Sequence, residues 1–83
     1  MTRRILLFTQ PGCLSCELMR MFLETCGVVF EECDIGINAE AGRELHGKYG
    51  SQTTPTVVVI TESGNEVIEG FDPSRLDQFL PAA

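Results

Sequence analysis

With 83 residues, 43% of them hydrophobic and charges mixed among them, the chain suffices for one domain with a modest core and is too apolar to stay disordered. Its net charge of −6 argues against nucleic acid or an anionic membrane as partner, because their phosphates repel an acidic protein. Arg3 and Arg4 precede only a short apolar run, too little for a secretory leader or a membrane span. The four cysteines therefore point to thiol chemistry in a reducing, cytoplasmic setting rather than to a secreted disulfide scaffold.

Arg3 to Thr9 reads as a buried strand, since Ile5-Leu6-Leu7-Phe8 is continuously apolar and ends at Gln10-Pro11-Gly12. A helix follows over Leu14 to Thr25, with Met19, Phe22, Leu23 and Cys26 at i, i+3, i+4 and i+7 as its packed stripe and Gly27 as its stop. Val28 to Asp34 is expected to be a second strand, parallel to the first. Ile35 to Asn38 is a loop. A second helix is expected over Ala39 to Tyr49, capped by Asn38, with Ala41, Leu45 and Tyr49 inward and Gly42 and Gly47 weakening it. Gly50 ends it.

Thr56 to Thr61, with Val57, Val58, Val59 and Ile60, is the most β-prone segment and reads as a central strand. Glu62-Ser63-Gly64-Asn65 is a turn, and Glu66 to Glu69 returns as the other arm of a hairpin. Asp72 and Pro73 begin a last helix whose Leu76, Phe79 and Leu80 face the sheet, and Pro81 helps to end it. The order is β-α-β-α-β-β-α over one domain spanning residues 1–83, with no repeat and no linker.

The chemistry concentrates where the first strand turns into the first helix, at Cys13-Leu14-Ser15-Cys16. A helix N-terminus offers unpaired N–H groups and the positive end of the macrodipole, which stabilise a thiolate. A second sulfur one turn further on can attack a mixed disulfide formed by the first, which is thiol–disulfide exchange. Cys13 is the expected nucleophile and Cys16 the resolving thiol. No lysine or arginine lies in the motif, and Glu17 stands one turn away, so the expected depression of the Cys13 pKa is mild. Half of a zinc site, or a pair of plain packed thiols, are the competing readings of the pair. Cys26 and Cys33 fit buried small apolar positions. His46 is expected to be solvated and Tyr49 to be packing.

Three segments together resemble the thioredoxin superfamily, and within it the small glutaredoxin-like redoxins, over nearly the whole chain. They are Pro11-Gly12-Cys13-Leu14-Ser15-Cys16, Lys48-Tyr49-Gly50-Ser51-Gln52-Thr53-Thr54-Pro55-Thr56, and Gly70-Phe71-Asp72-Pro73. The last is similar to the Gly-Phe-x-Pro of redoxins that feed electrons to ribonucleotide reductase. The resemblance implies a thioredoxin fold, an α/β four-stranded mixed sheet with three flanking helices. It also implies a cis bond before Pro55 that brings Thr54 beside Cys13.

The implied substrate groove is lined by Pro11, Gly12, Leu14, Thr54, Pro55, Gly70, Phe71 and Asp72, with Asp72 also the helix cap. The implied partners are protein or glutathione mixed disulfides, with thioredoxin reductase or glutathione as electron source. No bound cofactor and no metal are implied, and the chain is expected to be monomeric. Gln10 replaces the lysine usual in glutathione-using members, and no tryptophan precedes the motif. A metal or iron–sulfur carrier using Cys13, Cys16, Cys26 and Cys33, and a non-catalytic adaptor, are the alternative functions on this scaffold.

Overall fold

The computed structural model describes residues 4–80, so Arg3 and Pro81, expected at the first strand and the last helix, lie outside the described residues. The strands are β1 (Arg4–Thr9), β2 (Glu31–Asp34), β3 (Thr56–Thr61) and β4 (Gly64–Glu69). They form one sheet in the order β2-β1-β3-β4. β1 is parallel to β2 and antiparallel to β3, and β3 is antiparallel to β4. The helices are α1 (Leu14–Thr25), α2 (Ala39–Arg43) and α3 (Pro73–Asp77). This is the thioredoxin fold that the sequence led us to expect.

The two-residue period of a strand explains the layering. Ile5 and Leu7 of β1 point to one face, with Val57, Val59 and Ile68, against Met19 and Leu23 of α1 and Leu76 of α3. Leu6 and Phe8 point to the other, with Val58, against Ala41 and Leu45. The continuous apolar runs of β1 and β3 are thus covered on both sides, α1 and α3 below and α2 above. Phe79 and Leu80 pack on the α1 face as expected.

Four boundaries differ from the sequence reading: α3 ends at Asp77, short of the Phe79 and Leu80 expected on it, and the other three differ for a tertiary reason. β2 begins at Glu31 rather than Val28. The N–H of Val28 instead closes the end of α1 on the Leu23 carbonyl at 3.4 Å, and Val28 and Phe30 pack on the core as coil. The expected second helix over Ala39 to Tyr49 is α-helical only to Arg43, and Glu44–Lys48 forms a wider π-helical turn. The N–H of Tyr49 reaches back five residues to the Glu44 carbonyl at 3.0 Å. Gly42 and Gly47 give this segment little intrinsic preference for α geometry, so packing decides. Finally, β4 starts at Gly64, because the hairpin closes in two residues, Glu62 and Ser63. The Thr61 hydroxyl donates to the Gly64 carbonyl at 2.9 Å and holds that closure.

Local capping follows the sequence closely. The Asn38 side chain accepts from the N–H groups of Glu40 and Ala41 at the start of α2. Asp72 accepts from the Arg75 N–H at 3.2 Å, with Pro73 in the first turn of α3. Among the described residues no helix is long and apolar enough to cross a membrane.

Candidate active site

Antiparallel pairing of β1 with β3, and of β3 with β4, brings three chain segments to one end of the sheet. Phe8, near the end of β1, faces Thr56 at the start of β3, and Thr56 faces Glu69 at the end of β4. The segment after β1, the segment before β3 and the segment after β4 must therefore meet. These are the segments that carry Cys13, Thr54-Pro55 and Gly70.

Gly12, at φ +75°, turns the chain out of β1, a conformation that a side chain would strain. Cys13 then caps α1. Its backbone is extended, and its sulfur accepts a hydrogen bond from the Cys16 N–H at 3.2 Å. An N–H of the first helical turn aimed at this sulfur stabilises negative charge there once the sulfur is a thiolate. Cys13 and Cys16 are joined as a disulfide, with their Cα atoms 5.2 Å apart. Cys13 is half-buried, whereas Cys16 is 1% exposed. Two hydroxyls flank the outer sulfur: Thr54 Oγ1 and Ser15 Oγ each lie 3.8 Å from Cys13 Sγ.

The Thr54–Pro55 peptide is cis. The Pro55 carbonyl accepts from the Gly70 N–H at 2.8 Å, which ties the end of β4 to the loop beside the sulfur. Gly70 itself has φ +80°. Leu14 and Phe71 stand exposed at 71% and 43%, and Pro11 is exposed in the motif turn. Asp72 is occupied as the α3 cap and also accepts from the Ser74 hydroxyl at 3.3 Å.

Several residues to which the sequence assigned no chemical role support the site. Ser51 and Thr56, both fully buried, share a hydroxyl–hydroxyl hydrogen bond of 2.8 Å, and Thr56 Oγ1 also donates to the Thr53 carbonyl at 2.6 Å. This pair shapes the loop that carries Thr54. His46, exposed as expected, is not merely solvated, because its Nδ1 lies 2.9 Å from the Ser51 carbonyl. A carbonyl only accepts, so Nδ1 carries the hydrogen. Tyr49 is packing, its ring 5.8 Å from that of Phe8.

Buried Thr9 donates to Glu32 at 3.0 Å, and Arg20 of α1 grips the same carboxylate through two nitrogens at 2.7 and 2.6 Å. Chiefly through the Arg20 hydrogen bonds, and against the opposing effect of burial, Glu32 is held below the usual carboxylate range. The triad fastens α1 to β2 at the level of the motif.

Gly36 comes so close to the motif that a Cβ there would lie 2.5 Å from Pro11 Cδ. A proline ring cannot swing aside as a flexible side chain would. Gly36→Ala should therefore displace Pro11 or the β2–α2 loop, at a cost of about 1–3 kcal/mol. Thermal denaturation reads the loss, and an unchanged midpoint would show that the loop yields freely. The only sequence cue was Asp34 two residues earlier, whose carboxylate accepts the Gly36 N–H at 2.8 Å.

Cys26 and Cys33 are free thiols and only half-buried, not the fully buried positions expected of them. Cys33 packs against the α2-side core, and burial, followed by nearby Glu31 and Glu44, pushes its thiol pKa up. Among the described residues, no three His, Cys, Asp or Glu side chains converge as ligands for a metal ion.

Known proteins share this arrangement. The family model for glutaredoxin matches residues 5–63. The chain is 30% identical over 76 residues to the Gene 56 protein of Mycobacterium phage D29, covering 92% of this chain and 81% of that protein. Among solved structures, the thioredoxin-like protein BC3987 superposes with a TM-score of 0.83 at 39% identity, covering 93% of this chain and all (100%) of that one. The glutaredoxin-like NrdH-redoxin of Escherichia coli superposes with a TM-score of 0.76 at 29% identity, covering 96% and 99%. A chain with this sheet order and cysteine pair, matched over that span, belongs to the glutaredoxin family, and its general role is that of a thiol–disulfide oxidoreductase.

Proposed function

We propose that reduced Cys13 and Cys16 transfer two electrons to disulfides in partner proteins. The Cys13 thiolate attacks one sulfur of the partner, forming a mixed disulfide, and the partner's other sulfur departs as a thiolate. Cys16 then loses its proton and attacks Cys13 Sγ. The second partner sulfur is released, and Cys13–Cys16 is left oxidised. The observation that carries this reading is the asymmetry of the pair, with Cys13 half-buried between two hydroxyls and Cys16 almost fully buried and bonded to it.

The substrate's chain would lie extended along Thr54-Pro55, pairing with the Thr54 main chain as an added strand does. Pro11, Gly12, Leu14 and Phe71 would form the apolar walls, with Gly70 and Asp72 at the far side. No bound organic cofactor is needed. A protein with these thiols would work as a monomer in the reducing cytoplasm.

Thioredoxin reductase is the electron source we favour over glutathione. Gln10 supplies no positive charge before the motif. The α3 N-terminus, which could otherwise hold a glutathione carboxylate, is already occupied by Asp72, itself an anion. The similar Escherichia coli NrdH-redoxin is described as having a thioredoxin-like activity profile. A ribonucleotide reductase is one candidate acceptor, through Gly70-Phe71-Asp72-Pro73. NADPH with thioredoxin reductase is expected to sustain reduction of insulin disulfides, while glutathione with its reductase leaves it near background. The opposite pattern would assign the chain to the glutathione system.

A metal carrier is the alternative, and metal analysis of protein purified anaerobically separates it from dithiol exchange. An adaptor function would survive loss of Cys13, and that substitution separates it from catalysis.

A further inference from the structure

α1 is apolar on two opposite sides, which an amphipathic surface helix is not. Cys16, Met19 and Leu23 form its buried stripe. Leu14, Leu18 and Met21 recur at i, i+4 and i+7, within an arc of about 60° on the opposite side. They are 71%, 42% and 59% exposed. The ridge starts between the two cysteines and runs about 10 Å along the helix. One flank carries exposed Glu17 and Glu24, neither of which makes a side-chain hydrogen bond or ion pair among the described residues. The nearby cation, Arg20, is engaged by Glu32.

We propose that Leu14, Leu18 and Met21 form a docking ridge for a redox partner whose matching surface is an apolar groove bordered by lysine or arginine. The inference rests on the function proposed above and extends it to the recognition of the partner. A disulfide seated on Cys13 must already lie beside Leu14, so the ridge prolongs a surface that exchange itself requires. Charge selects the occupant. A second copy of this chain would set Glu17 and Glu24 against their own equivalents, in a molecule of net charge −6. A cationic border meets them favourably.

The test uses the reduced protein with three probes: a small aromatic disulfide, 5,5′-dithiobis(2-nitrobenzoic acid), and two synthetic peptides. Each peptide closes a Cys–Cys ring and continues into an amphipathic segment, of leucine with lysine in one and leucine with glutamate in the other. The wild type should prefer the lysine peptide by about tenfold in kcat/KM at low salt, and the preference should shrink at about 0.5 M salt. Leu18→Ser with Met21→Ser should raise KM for the lysine peptide by about tenfold, leaving its kcat and the rate with the small disulfide unchanged. Both side chains are exposed, so circular dichroism should show an intact fold. Equal handling of the two peptides by the wild type, or an unchanged KM in the double variant, would overturn the docking ridge. A wild type inert towards the small disulfide would instead defeat the proposed exchange reaction.

Discussion

Cys13→Ser is expected to lower the rate of disulfide reduction by at least about a thousandfold, since a serine hydroxyl is not ionised near neutral pH and is no substitute for a thiolate. Cys16→Ser should behave differently. Its Cys13 can still open a partner's disulfide, but no second sulfur lies beneath it to release the product. Mixed disulfides should then accumulate and appear as covalent complexes on a non-reducing gel. Two variants of one motif would thus fail at two different steps. Undiminished turnover of protein disulfides by Cys16→Ser would remove that cysteine from the scheme, and turnover by Cys13→Ser would remove the scheme itself. The same preparation of Cys16→Ser allows alkylation of Cys13 to be titrated against pH. We expect a thiol only mildly more acidic than free cysteine. The helix N–H groups favour the thiolate, whereas the motif brings no cation and Glu17 is nearby.

The second large effect concerns the core. Phe8 is 0% exposed on the α2 face of β1, packed with Leu6, Ala41, Leu45 and Val58 and tilted 56° against the Tyr49 ring. Phe8→Ala should cost about 3–5 kcal/mol, the lost transfer of the ring plus the cavity it leaves. That is a large part of the 5–15 kcal/mol or so that holds a typical domain together. Urea denaturation should therefore show a much lower midpoint for this variant. Val29→Ala, at a position 90% exposed, should fall within about 0.5 kcal/mol of the wild type and serves as the contrast. A loss below about 1 kcal/mol for Phe8→Ala would mean that α2 can settle onto the sheet and fill the space.

Which features were readable in advance follows from their range. The runs of β1 and β3, the stripe of α1 and the Asp72-Pro73 start of α3 were legible because hydrophobic period and capping chemistry act within a few residues. The π-helical turn at Glu44–Lys48 was not, because Ala41, Leu45 and Tyr49 keep the same apolar spacing whether the chain closes four or five residues back. Val28 to Phe30 have strand composition, yet they serve the exit from α1. At the site, the cysteine spacing announced the chemistry, and the resemblance supplied Thr54, Pro55 and Gly70. The supports were silent. Gly36 against Pro11, and the buried Ser51–Thr56 hydroxyl pair in the loop that carries Thr54, depend on contacts that only the folded chain makes. Ser15 reads as a spacer until its hydroxyl is seen beside the sulfur.

The two-residue closure at Glu62 and Ser63 lies at the opposite pole of β3 and β4 from the cysteines. Six strand residues separate the two ends, a span of roughly 20 Å. A fluorophore or a surface tether attached at Ser63 would thus report on, or immobilise, the molecule while leaving the sulfur-bearing end clear for its visitors.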